Sequence, residues 1–153
     1  MATSTGDWVE AGPFRAHLRH LVAVGGLSAD EAATVVGLPP RIVQHLLHGR
    51  SGRWQRRISP GTASRLLEVS TSDVASLRWR LTPAEPAREA CARLRAGGWT
   101  DEEVATRARL PLAEVTALSH AVRCSRLLTV RLVSLARGLP DAWWQEDEFD
   151  YAA

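Results

Sequence analysis

The sequence predicts an all-α fold made of two related helical units in tandem, and three observations carry that expectation. First, the segment GGLSADEAATVVGLPPRIVQHLLH (25–48) aligns without gaps on GGWTDEEVATRARLPLAEVTALSH (97–120), an offset of 72 with ten identical pairs in 24 positions. Second, both copies open a helix with the same pattern, Ser28-x-x-Glu31 and Thr100-x-x-Glu103. In such a capping box the hydroxyl accepts the third helical N–H and the glutamate reaches back to the cap. Third, no stretch keeps apolar residues alternating long enough to read as a strand. With 153 residues and 45% apolar content, the chain is one ordinary domain or two small ones with enough apolar matter for a core.

Taken in order, residues 1–11 read as a disordered N-terminus and 12–80 as the first unit. Phe14, Leu18, Leu21 and Val22 form the apolar stripe of its first helix, which Gly25 and Gly26 can end in a left-handed turn. The capped segment from Ser28 gives a second helix, and roughly Pro40 to Leu47 a third; Pro40 is tolerated in a first turn because that N–H has no helical partner. Residues 48–57 form a basic loop. Ser59 and Pro60 open a helix carrying Ala63, Leu66 and Leu67, and Ser72 and Asp73 open another through Val74 and Leu77. The second unit spans 81–144, with Thr82, Pro83 and Glu85 as a capped helix start. Trp79, Trp99, Trp143 and Trp144 read as core or inter-unit packing. The stretch 145–153, QEDEFDYAA, is an acidic tail.

Charge is segregated more than the net value of +2 suggests. The tail carries four carboxylates and no base, so the rest of the chain stands at +6, a surplus that favours polyanions. Every one of the 19 basic residues is arginine. Codon usage in a GC-rich genome accounts for that global count, but not for where the arginines sit. From Ala32 to Leu67 there are six arginines, two histidines and no carboxylate. HGRSGRWQRR (48–57) gathers four of those arginines around Trp54.

Other function classes lose ground on composition. No apolar run approaches the roughly 20 residues of a membrane span, and MATSTGDWVEAG lacks the basic-then-apolar pattern of a secretion signal. A cytoplasmic, nucleoid-associated protein is expected. Cys91 and Cys124 stand apart without metal or redox spacing and read as packed thiols. There is no Gly-rich phosphate loop, no metal constellation and no nucleophile with supporting context, so neither an enzyme nor a cofactor is expected. The single tyrosine, Tyr151, lies in the acidic tail.

Within the repeat, Ala33, Gly37, Leu38, Val43 and Leu46 hold a particular spacing. Ala33 is small where two helices cross closely, Gly37 takes a positive φ, and Val43 and Leu46 seat the following helix. This pattern resembles the helix-turn-helix of bacterial and phage repressors. The basic loop followed by ISPGTASRLL (58–67) is similar to repressor-like regulators of GC-rich bacteria and their phages. The resemblance implies that helix 40–47 reads a major groove, with Pro39, Pro40, Arg41, Gln44, His45 and His48 facing it. Arg41 would bond a guanine and Gln44 an adenine. Arg50, Arg53, Arg56 and Arg57 would clamp the backbone, or one would enter an adjacent minor groove. The bland alternative for the loop is a solvated insertion. Trp54 either stacks on the nucleic acid or folds back to pin the loop. His45 and His48 read as phosphate or backbone partners, with no cysteine or acid nearby to complete a metal site.

The second unit departs from the pattern. Arg109 replaces the turn glycine, and Leu112, Ala113, Glu114, Thr116 and Ala117 occupy the reading positions. His120, Arg123, Arg126, Arg131 and Arg137 then follow without an acid until Asp141, so backbone contact, led by Arg123 and Arg126, is expected with little base reading. A structural or dimerising role is the alternative. The partner expected is double-stranded DNA, bound either by a monomer with two contacting units or by a homodimer on a palindrome. The expected function is sequence-specific transcriptional regulation, most simply repression. The rival is a protein-interaction adaptor of sigma-like or antitoxin type, gripped through the acidic, tryptophan-containing C-terminus.

Overall fold

The computed structural model describes residues 7–139 and is mostly helical. The chain divides between Arg80 and Leu81 into two compact units.

In the first unit, β1 (Val9–Glu10) pairs antiparallel with β2 (Arg57–Ile58), Val9 opposite Ile58 and Glu10 opposite Arg57. The Ala11 N–H then donates to the Arg56 carbonyl at 2.8 Å. Residues 9–11 are therefore ordered, against the expectation of a disordered stretch through residue 11; residues 1–6 lie outside the described part. A pairing two residues long is too short for apolar alternation to show in the sequence.

Helix α1 (Ala11–Gly25) buries Ala11, Leu18 and Leu21. Helix α2 (Ala29–Val36) starts on the expected capping box: Ser28 Oγ accepts the Glu31 N–H at 3.1 Å and Glu31 Oε1 accepts the Ser28 N–H at 2.9 Å. Gly37 follows at φ 79°, and α3 (Pro40–His48) turns back on α2 with Ala33, Val43 and Leu46 fully buried. Burying a Val or Leu side chain contributes about 1.5–3 kcal/mol, so these contacts fix the α2–α3 pair. Helix α4 (Pro60–Leu67) is capped by Ser59, whose Oγ accepts the Thr62 N–H at 3.2 Å. Helix α5 (Thr71–Ala75) begins two residues earlier than expected. Its cap is Ser70 rather than Ser72, in a reciprocal box with Asp73. The backbone and hydroxyl hydrogen bonds from Ser70 hold the Asp73 carboxyl below its ordinary range.

Gly37→Ala is expected to destabilise the first unit by about 1–2 kcal/mol, since a side chain resists a left-handed φ. A Cβ there would also meet Arg65 Nη1 at 3.0 Å. Chemical denaturation monitored by circular dichroism reads the shift in midpoint.

The second unit repeats the plan. Strand β3 (Leu81–Pro83) pairs antiparallel with β4 (Arg123–Ser125), and the Ala84 N–H donates to the Val122 carbonyl as Ala11 does to Arg56. Thr82 and Pro83 thus lie in a strand and do not cap a helix. Helix α6 (Glu85–Ala96) opens without a side-chain cap, with a proline in its first turn. Helix α7 (Asp101–Ala108) is capped by Thr100, and Arg109 holds the left-handed turn at φ 56° before α8 (Leu112–Ala117). A 3-10 turn (Leu118–His120) leads to β4, and α9 (Arg126–Arg137), capped by Ser125, closes the core against α6. Cys91 and Cys124 are buried free thiols, and burial pushes the Cys91 thiol up. Trp99 packs on this core, but Trp79, expected in core or inter-unit packing, is 76% exposed. Trp143, Trp144 and the acidic tail lie outside the described residues. Among the described residues no helix is long and apolar enough to cross a membrane.

The structural repeat runs further than the sequence match. Past His48 and His120 the offset falls from 72 to 66. Ser59 and Ser125 both cap, and Arg65 and Arg131 both reach the turn after the second helix of their unit. Residues 49–54 are thus an insertion peculiar to the first unit.

Candidate nucleic-acid interface

Helix α3 is amphipathic. Val43, Leu46 and Leu47 turn inward, while Arg41, Gln44 and His48 are exposed and Pro40 and His45 half-buried. Pro40 sits in the first turn, where its missing N–H costs no helical hydrogen bond. The Arg41 side chain makes no hydrogen bond or ion pair among the described residues. Gln44 is engaged: its Nε2 donates to Asp30 Oδ1 at 2.8 Å, across from α3 to the first turn of α2.

The insertion is an ordered hairpin rather than a loose loop. The Arg50 N–H donates to the Arg53 carbonyl at 2.9 Å, and the Arg53 N–H to the Arg50 carbonyl at 3.0 Å. The two residues between them, Ser51 at φ 53° and Gly52 at φ 74°, both take the left-handed conformation of a two-residue hairpin turn. Glycine supplies one of these at no cost, and serine accepts the other.

Trp54 anchors the hairpin to α1. The guanidinium carbons of Arg15 and Arg19 lie 4.9 and 5.1 Å from its ring centroid, while the side chain stays 53% exposed. Of its two expected roles, pinning is the one its contacts display. Arg15 also ties the base of the hairpin to α3: its Nε donates to the Leu46 carbonyl at 2.8 Å and its Nη2 to the Gln55 carbonyl. Arg88 reaches the Ala121 carbonyl in the same way in the second unit. A cavity of about 490 Å³ opens beside this anchor, lined by Arg19, Val22, Leu27, Ala29, Leu47, His48 and Trp54.

Around this frame Arg50, Arg53, Arg56 and Arg57 are all exposed, and none makes a hydrogen bond or ion pair through its guanidinium among the described residues. Folding does bring carboxylates nearer than the sequence suggested. Glu10 stands opposite Arg57 in the β1–β2 register, without an ion pair, and Asp30 reaches Gln44. Four guanidinium groups, two on the hairpin and two at the entry to β2, thus keep their full donor capacity for an external polyanion.

The second unit lacks this concentration. Arg123 is exposed in β4 and Arg126 is half-buried at the start of α9. Arg131, expected on the surface, is 9% exposed and donates through Nη1 to the Arg109 carbonyl at 2.8 Å, bracing the strained turn. On α8 the Thr116 hydroxyl is taken up by the carbonyls of Leu112 and Ala113, at 3.1 Å each, and Leu112 is 42% exposed.

Sequence reasoning did not reach Arg15, Arg19 or Asp30. Asp30 and Gln44 are 14 residues apart and Arg15 and Gln55 are 40 apart, so only the folded chain pairs them. The Arg15/Arg88 correspondence falls at an offset of 73, one residue out of the repeat's register, which hides it in the sequence. No protein-family model matches the chain, and neither a curated protein nor a solved structure matches it.

Proposed function

We propose that this protein binds double-stranded DNA in a sequence-specific way and acts as a transcriptional regulator of repressor type. In this reading α2, the Gly37 turn and α3 form a helix-turn-helix. Helix α3 enters the major groove with Arg41 and Gln44 toward base edges, and the hairpin arginines grip phosphates. One observation carries it: four exposed, internally unbonded guanidinium groups follow α3 directly in the chain, on a segment that Trp54 ties to α1. A solvated insertion would have no need of a two-residue turn and a stacked tryptophan to fix its shape.

The second unit is proposed as a related fold with a reduced role. Its reading positions are apolar, neutral or acidic, and one of its arginines is spent inside. No basic residue stands at those positions to pair with phosphate or guanine, which weighs against base reading there and keeps an adaptor function as the second reading.

Titrating mixed-sequence duplex with the full chain at rising salt separates the two. DNA binding through six to ten phosphates loses about 10³–10⁵ in affinity between 50 and 200 mM salt. An adaptor binds duplex weakly at every salt concentration and forms its stable complex without DNA.

A further inference from the structure

We infer that Asp30 decides which base Gln44 reads, by consuming one of the two amide hydrogens of that side chain. The inference rests on the reading of α3 as a helix laid in the major groove with Gln44 toward adenine, and adds to it the residue that holds Gln44 to that base. A free glutamine amide offers two N–H donors on Nε2 and an acceptor on Oε1, and rotation lets it present either combination. The Asp30 carboxylate is acceptor-only when ionised, so the 2.8 Å contact with Gln44 admits only the amide nitrogen on that side. One N–H and the carbonyl oxygen then remain for a ligand, and the Gln44 side chain makes no other hydrogen bond among the described residues.

That remainder matches adenine, whose major-groove edge has an acceptor at N7 and a donor at N6. Guanine shows two acceptors, N7 and O6, and would need both amide hydrogens, one of which Asp30 holds. The same contact fixes the side chain before DNA arrives, so less rotamer freedom is lost on binding. Asp30 is therefore a positioning residue, selecting against guanine without touching the base. The second unit has no such device. Glu102 stands at the Asp30 position, but the Gln44 position is Thr116, whose hydroxyl already bonds the carbonyls of its own helix.

The test is site selection from a random duplex pool with the full chain, comparing wild type, Gln44→Ala, Asp30→Ala and Asp30→Asn. Wild type is expected to enrich one adenine that Gln44→Ala no longer selects, which marks the position. At that position the adenine-to-guanine ratio should fall from about tenfold or more to about twofold in Asp30→Ala. Asp30→Asn, which can offer either an acceptor or a donor, should lie between. Removing a carboxylate also raises affinity for every sequence alike, so the ratio, not the affinity, is the readout. An unchanged ratio in Asp30→Ala, or guanine selected by the wild type at that position, overturns the inference while leaving α3 as the reader. Wild type that enriches no motif overturns the reading of α3, and the inference falls with it. Should Asp30→Ala fail to fold, Asp30→Asn decides: a ratio equal to wild type overturns the inference.

Discussion

Replacing Arg41 and Gln44 together by alanine is expected to collapse sequence preference while loose, salt-sensitive duplex binding survives. Each bidentate contact to a base edge discriminates by about 1–3 kcal/mol, so losing both costs the preferred site about one and a half to four powers of ten. Affinity for unrelated sequence changes little, because that term comes from phosphates. Both side chains are exposed on α3 and its buried face is untouched, so the variant keeps its stability. Competition between preferred and scrambled duplex measures the ratio. A preference that survives the double substitution places base reading elsewhere in the chain.

Alanine at Arg50, Arg53, Arg56 and Arg57 should have the complementary effect. Affinity falls alike for all sequences, and the slope of log affinity against log salt drops by about 0.9 for each phosphate released, hence by about three to four units if all four grip. Fold and thermal midpoint are expected to hold, since no guanidinium of the four bonds to the described protein. A drop of one unit or less would mean that the hairpin stands off the duplex.

The helical plan was legible because its signals are local. Ser28 with Glu31, Ser59 and Thr100 cap the helices expected of them. Gly37 and Arg109 take the left-handed turns that the repeat register demands. The buried Ala33, Val43 and Leu46 are the residues the helix-pairing pattern placed at the crossing. What escaped is what depends on chain segments meeting. The strand pairs are two or three residues long and show no period of their own. The hairpin has a turn signal in Ser51-Gly52, but charged residues flank it where a strand pattern would want apolar ones. Counting carboxylates along the chain isolates the arginines correctly in sequence, yet misses that β1 carries Glu10 to Arg57 and that α2 carries Asp30 to Gln44. Trp79, read as core or inter-unit packing, is exposed, since an aromatic side chain by itself does not say which way it faces.

Selection of bound sites from a random duplex pool by the unmodified chain puts the central claim most directly at risk. If α3 reads bases, a compact motif containing an adenine and a guanine emerges within a few rounds; one asymmetric site means a monomer, and a palindrome means a dimer of single readers. A pool that stays random, together with duplex affinity indifferent to salt, would contradict the account.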